Sequence, residues 1–593
     1  MAVEARIREL MVGHFPTCPL CGSDAGYDVT SAIKGHVRCK SCSTEWSSLD
    51  FITGATLDKM KVRELPKGAS SYVVGGHRLR RGDEYPVSFW GSLAEGEEEL
   101  VQTVKLPMEY LFLSLVLLGA AYLRVANLGG LYIYDYDEGV YCESARMIVK
   151  GNLPHAQVFS SQPPHFILLV AAFLKLFGMD ILFARLFIVF TSMIAIVSVH
   201  LIAKSIEDYK AGLASALFLS ISPYFVRMSR SVQAEVPSIS FALLGFWLFF
   251  GGFRSKSDVR LFLSGVVVCL GAMMKLNVGM VAAFLFVLLV ARKELRGLAF
   301  FMVGGIVPLL ILPFFSLNKV VDQMILFHFT KPDTGTWQDR WASIYSMLMM
   351  DPGLTVTASI GAVLCATKKA LEGRFVVALT GATFAFLLYY KAFFMHQAVI
   401  LVPLLAILSG VALVNPLNQG SRLLSEKASL SSETNQKSGR KQPLVARRRR
   451  LVASALVVAS LVESLFYGVT AVGVLSYDSR LTSPRDDPRY IQAVSAIRAY
   501  ASSVEYIISD EQILAFFAER DVPPDLADTS HMRISSGYLN SETVIAFTKE
   551  YNVKLVILWT GRLKRLTKFV DYVKANYQIV ETYDGREIYL RVR

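Results

Sequence analysis

Long uninterrupted apolar blocks constrain this chain more than any other feature. A helix needs ~20 residues to cross a hydrocarbon core of ~30 Å, and candidate spans fall near 108–126, 181–203, 211–226, 236–253, 261–274, 278–291, 298–316, 352–367, 375–390, 397–414 and 451–474. These eleven blocks predict a polytopic α-helical membrane protein, with 261–274 and 278–291 short enough to need flanking residues. Composition agrees: 53% of the 593 residues are hydrophobic and 19% charged, against about 25% charged in an ordinary soluble domain. A single soluble domain, intrinsic disorder and a small disulfide scaffold are excluded together. The net charge of +12, from 61 Lys+Arg against 49 Asp+Glu, sits largely beside apolar blocks and suits a membrane surface better than nucleic acid.

Loop charge gives the expected orientation, because Lys and Arg accumulate in short cytoplasmic loops. Residues 1–105 hold no secretory-type run and are expected to stay in the cytoplasm. On that basis Lys204 and Lys210, then Arg254, Lys256 and Arg260, then Arg292, Lys293 and Arg296, then Lys368, Lys369 and Arg374 all face inward. The polar stretch 416–450 reads as a cytoplasmic linker ending in the run Arg447 to Arg450. Eleven spans within 106–474 then place residues 475–593 outside the cell membrane. The apolar stretch from Phe166 to Phe177 is too short for a crossing and reads as an interfacial or re-entrant helix. The outer tail reads as an α/β domain, with strands at Val504–Ile508 and Lys554–Trp559, helices near Gln512–Glu519 and Leu563–Ala575, and a hairpin around Asp584-Gly585.

Seven cysteines divide into two classes. Cys18-x-x-Cys21 and Cys39-x-x-Cys42 have the spacing of two thiolate knuckles closing a tetrahedral Zn²⁺ site, so a zinc ribbon is expected at about 15–50. Four thiolates leave the ion no open position, which makes its expected role structural. Cys142, Cys269 and Cys365 stand alone and read as packing residues.

The loop after the first span carries Asp135, Asp137 and Glu138 within four residues. Like charges at that spacing repel, so they need cationic neighbours or remain a solvated acidic turn. In the expected topology Arg227, Arg230, Gln233 and Glu235, then Lys275 and Asn277, then Lys391 and His396 fall on the same side. Charges at membrane depth usually face a cavity or a partner. Carboxylates beside cations suit transfer of a group from a phosphate: a base takes the acceptor proton while cations hold the departing phosphate. A transporter of a polar or anionic substrate is the alternative, although no two-fold repeat is visible. A membrane-tethered sensor is a third reading.

Asp137-Glu138, Ala145-Arg146, Gly151, Pro163-Pro164 before a short apolar helix ending at Gly178, and Ala184-Arg185-Leu186 resemble the GT-C membrane glycosyltransferases. The nearest branch is the family 39-like group of protein O-mannosyltransferases and aminoarabinose transferases. Ser229 to Glu235, Met274 to Asn277 and His396-Gln397 resemble later motifs of that group, so the likeness covers roughly 108–415. It implies inverting transfer of a hexose or pentose from a polyprenyl- or dolichyl-phosphate sugar to a hydroxyl of a protein, glycan or lipid acceptor on the outer face; nucleic acid is not an expected partner. It also implies Asp137 as general base, with Glu138 orienting or stabilising it. Asp135, Arg146, Gln162, His165, Arg230, Glu235, Lys275 and His396 become substrate-binding candidates, with Arg146, Arg230 and Lys275 directed at the lipid phosphate. Val140, Ser161 and Gln162 depart from the aminoarabinose-transferase pattern, removing groups expected to handle metal and phosphate, so a site without a catalytic metal is expected.

Overall fold

The computed structural model describes residues 108–367, 370–415 and 486–592, with short segments at 27–31, 36–40, 45–47, 71–74 and 77–80, residue 418, and scattered helical residues between 458 and 476. Two compact units result, Met1–Leu111 and Phe112–Arg593. In the first, β1 (Tyr27–Ser31), β2 (His36–Cys39) and β3 (Glu45–Ser47) form an antiparallel sheet, and β4 (Ser71–Val74) and β5 (His77–Arg80) a hairpin. Tyr27 pairs with Cys39 and Val37 with Trp46. The expected zinc ligands Cys18, Cys21 and Cys42, and the thiol of Cys39, lie outside the described residues, as does the linker 416–450 apart from residue 418.

Six helices among the described residues are long and apolar enough to cross a membrane: α1 (Met108–Val125), α4 (Ile181–Ile206), α6 (Glu235–Ser255), α9 (Leu295–Phe314, its last turn 3-10), α12 (Leu371–Tyr389) and α13 (Met395–Asn415). A seventh is obtained if α10 (Trp337–Met350) and α11 (Pro352–Thr367), bent by 100°, count as one. The expected eleven exceed this because several blocks form helices too short to cross on their own. The 211–226 block is divided at Ser222, whose hydroxyl caps a new short helix beginning at Pro223, leaving α5 (Tyr209–Ile221) only 13 residues long. At 1.5 Å per residue that is about 20 Å. Lys275 separates α7 (Asp258–Ala272) from the helical run over Leu276–Ala291, which contains α8 (Gly279–Ala291), at the boundary expected between 261–274 and 278–291, and both pieces are short for a crossing. The block at 451–474 falls largely outside the described residues. The short apolar helix expected at Phe166–Phe177 is present as α3 (His165–Phe177), 13 residues long.

A buried ion pair organises the region after α1. The Arg185 side chain of α4 and the Glu138 side chain of α2 (Tyr136–Val149) are both fully buried. Arg185 donates Nε and Nη2 to the two carboxylate oxygens of Glu138, each at 2.9 Å. Its remaining donors reach the carbonyls of Leu128 at 2.8 Å, Gly130 at 3.0 Å and Tyr132 at 2.7 Å. The guanidinium also lies over the rings of Tyr132 and Tyr134. Glu138 additionally accepts from the amide of Val232 at 3.1 Å. One pair therefore ties α2, α4, the loop after α1 and the segment before α6 together.

The tail forms a four-stranded sheet in the order β6 (Ile507–Ser509), β7 (Leu555–Leu558), β9 (Arg586–Arg591), β8 (Tyr577–Tyr583), parallel only between β6 and β7. Helices α14 (Pro488–Tyr500), α15 (Gln512–Ala518), α16 (Ser541–Glu550) and α17 (Thr567–Asn576) accompany it. Strands β6 and β7 are buried along their whole length, as expected for strands covered on both faces. The tail belongs to the same compact unit as the helices, and α15 packs on α2. At Gly139 an added Cβ would lie 2.6 Å from the Ile513 backbone nitrogen, so only glycine permits the approach.

Removing one partner of a buried ion pair typically costs about 3–5 kcal/mol, because the other charge is left uncompensated. Arg185→Ala should accordingly lower the apparent Tm and the denaturation midpoint of the detergent-solubilised protein. Arg185→Lys, which lacks the bidentate fork, should restore stability only in part. A change in Arg185→Ala below about 1 kcal/mol, the range of an exposed pair, would show that the fold does not depend on this contact.

Candidate active site

The chain brings its polar residues to one cavity of about 210 Å³, lined by α2, the turn before α3, the 275–277 break, the start of α13 and loops of the tail. Asp135 is the N-cap of α2, its carboxylate accepting from the amide of Asp137 at 3.1 Å. An acidic first turn is favoured by the positive end of the helix dipole. Side chains 135 and 137 thus stand at the mouth of one helix, each about a third exposed.

His396 sits among three carboxylates. Its Nδ1 is 3.3 Å from Asp135 Oδ2, and its Nε2 lies 3.5 Å from Glu235 Oε1 and 3.8 Å from Asp137 Oδ2. Lys275 Nζ contacts the same Glu235 oxygen at 2.7 Å. Donor atoms of Asp135, Asp137 and His396 lie within 4.8 Å of one another, close enough to converge on one divalent cation. With protonated His396 and Lys275 the five groups carry one net negative charge, so the cluster can also balance itself largely by protons.

Environment separates the two aspartates. Burial, reinforced by the charge of Asp135, pushes the Asp137 carboxyl up to about 6 against the opposing pull of His396 and Lys275. Burial acts on Asp135 in the same direction, but hydrogen bonding and charge from His396 outweigh it and hold that carboxyl below the usual range. One acid is thus always ionised near neutrality, while its neighbour can take up a proton.

Several expected site residues meet here and others do not. Asp135, Asp137, Gln162, Lys275 and His396 line the cavity, and Glu235 stands directly behind Lys275 and His396. Glu138 is sealed in its pair with Arg185 and holds the loop rather than facing the cavity. Arg146, expected at a lipid phosphate, is instead paired with Glu143 at 3.0 Å and with Asp521 of the tail at 2.9 Å. Arg230, expected in the same role, donates to the Tyr134 hydroxyl at 2.6 Å and to the carbonyls of Leu123 and Arg124 at 3.0 Å. His165 bonds the carbonyl of Pro308 through Nε2 at 2.8 Å. Each of these three is engaged by neighbouring residues outside the cavity, and none lines it.

Lys331, Tyr390, Asp528, His531 and Arg562 also line it, and sequence reasoning missed all five. Burial, reinforced by Lys275, brings Lys331 down to about 8, leaving it largely charged at neutral pH. Among the described residues no carboxylate is within ion-pair distance of Lys331. Its only sequence signal is the polar step Lys331-Pro332-Asp333 after an apolar stretch. Asp528, His531 and Arg562 lie in the tail, where no sequence motif marks them.

Residues 161–316 match the family described as Dolichyl-phosphate-mannose-protein mannosyltransferase. A relative from Aquifex aeolicus (strain VF5), described as an uncharacterized protein, is 27% identical over 197 residues, which cover 32% of this chain and 40% of the relative. Among solved structures, ArnT from Cupriavidus metallidurans bound to undecaprenyl phosphate superposes with a TM-score of 0.56 at 15% identity, covering 82% of this chain and 98% of that one. Its apo form gives 0.57 at 14% identity, covering 82% and 97%. The chain therefore has a GT-C-type membrane fold over most of its length.

If Asp137 accepts a proton in the chemistry of this cavity, activity should rise with pH through about 6, since its carboxyl is protonated below that value. At pH 5 about a tenth of the molecules would hold the ionised form. The acid limb of a pH–rate profile measures this, and a limb near 4 would mean that burial does not act on the working group.

Proposed function

We propose that the protein is an integral-membrane glycosyltransferase that moves a sugar from a polyprenyl- or dolichyl-phosphate donor to an acceptor hydroxyl on a protein, glycan or lipid, with inversion. The supporting observation is one cavity holding a carboxylate of raised proton affinity beside cations suited to a phosphate. The match of residues 161–316 to the mannosyltransferase family, and the fold shared with a protein seen with undecaprenyl phosphate, agree with this chemistry.

In this reading Asp137 removes the acceptor proton as the acceptor oxygen bonds to the anomeric carbon. The bond from that carbon to the phosphate oxygen breaks, and the electron pair leaves with the lipid phosphate. Lys275 and Lys331 hold the charge that develops there. Asp135 and His396 keep Asp137 in place, and Glu235 sets the position of Lys275. The amino terminus lies in the cytoplasm and the tail outside the cell membrane, with short helices completing eleven crossings through their flanking residues.

A general base contributes ~10²–10⁴-fold to rate, so Asp137→Asn should cost about 3–5 kcal/mol in the transition state while donor binding survives. Turnover of labelled polyprenyl-phosphate sugars at saturating donor measures the loss. Near-wild-type turnover in the variant would remove Asp137 as the base, and absence of donor cleavage by the wild type would favour the transporter or sensor reading.

The ribbon is proposed to hold about one structural zinc per chain, and the transfer site to need none. Elemental analysis of Cys39→Ser, Cys42→Ser protein should show that zinc lost, with transfer intact and unaffected by EDTA. The convergence of Asp135, Asp137 and His396 favours one other outcome: activity abolished by EDTA and restored by Mn²⁺ would make that trio a catalytic metal centre.

A further inference from the structure

Tyr136 separates the two cavity aspartates in sequence, and its side chain is gripped by the tail. The Arg562 guanidinium lies over its ring, 3.5 Å from the centroid. Its hydroxyl is 3.1 Å from Thr529 Oγ1, which in turn accepts from Gln512 Nε2 at 3.1 Å. Arg562 is itself held by a firm support. The fully buried Asp510 accepts from the amides of Trp559 at 2.6 Å, Thr560 at 2.8 Å and Leu563 at 3.2 Å, fixing the turn that carries the arginine.

A residue between two side chains on a helix cap shares its backbone with both, so fixing its ring restricts where both carboxylates point. A cation–π contact shielded from water is strong enough to favour one orientation of a cap. We propose, resting on the transfer reading above, that Arg562 and Tyr136 form a positioning device by which the tail sets the geometry of Asp135 and Asp137. Arg562 acts through Tyr136 and not on the reacting atoms. The membrane part alone therefore carries the acids without their working orientation.

The test is a double-mutant cycle in the full-length protein. Arg562→Met and Tyr136→Leu should each lower kcat at least tenfold with KM for a polyprenyl-phosphate sugar within twofold, and the double variant should be no worse than either alone. Tyr136→Phe, which keeps the ring, should recover most of the rate. Additive losses, or a rise in KM with kcat retained in Arg562→Met, would assign Arg562 to direct ligand contact and overturn the proposal. A second measurement needs no turnover: amide hydrogen exchange over residues 133–140 should rise at least tenfold in both variants while exchange over β7 stays at the wild-type level. Unchanged exchange at 133–140 overturns the positioning role. Raised exchange in the variants, combined with no transfer by the wild type, upholds the positioning role and overturns the transfer reading alone.

Discussion

The site depends on a single guanidinium. Arg185 is fully buried and spends its donors on Glu138 and on the loop carbonyls of Leu128, Gly130 and Tyr132, so a stretch without regular structure is held in place. Backbone carbonyls at this depth must find donors, because water is scarce. A planar donor with five N–H groups serves them and neutralises a carboxylate at once. That arrangement gives the fold-holding ion pair to Glu138 and leaves the Asp137 carboxylate facing the cavity.

The same economy governs the cavity cluster. Three carboxylates, an imidazole and an ammonium are gathered within a few ångströms, and their mutual compensation makes their partial burial tolerable. Lys331, which also lines the cavity, has no carboxylate within ion-pair distance among the described residues.

Much of this was legible in the sequence because hydrophobic periodicity and punctuation are local. The block 236–253 became Glu235–Ser255, and the Asp584-Gly585 turn became the bend of the β8–β9 hairpin, with Asp584 and Gly585 both at positive φ. Asp137, Lys275 and His396, far apart in the chain, were grouped by assigning their loops to one side, and they do meet. Hydrophobicity showed the break at Lys275, which separates the blocks 261–274 and 278–291, but not the one at Ser222, which interrupts a helix without altering the average. Nor could it separate cavity cations from structural ones: Arg146, Arg230 and Lys275 look alike in sequence, and only packing commits the first two to local partners. Arg562 was illegible for another reason, because reading the tail as a separate domain gave no cause to look there for residues of the cavity.

The missing side chain at Gly139 limits which tails this membrane part can accept. Helix α2 and the start of α15 approach until a methyl group would collide with backbone. Such a seam has little tolerance, so a chimaera that joined this membrane part to a foreign tail would meet either a gap or a clash at that glycine.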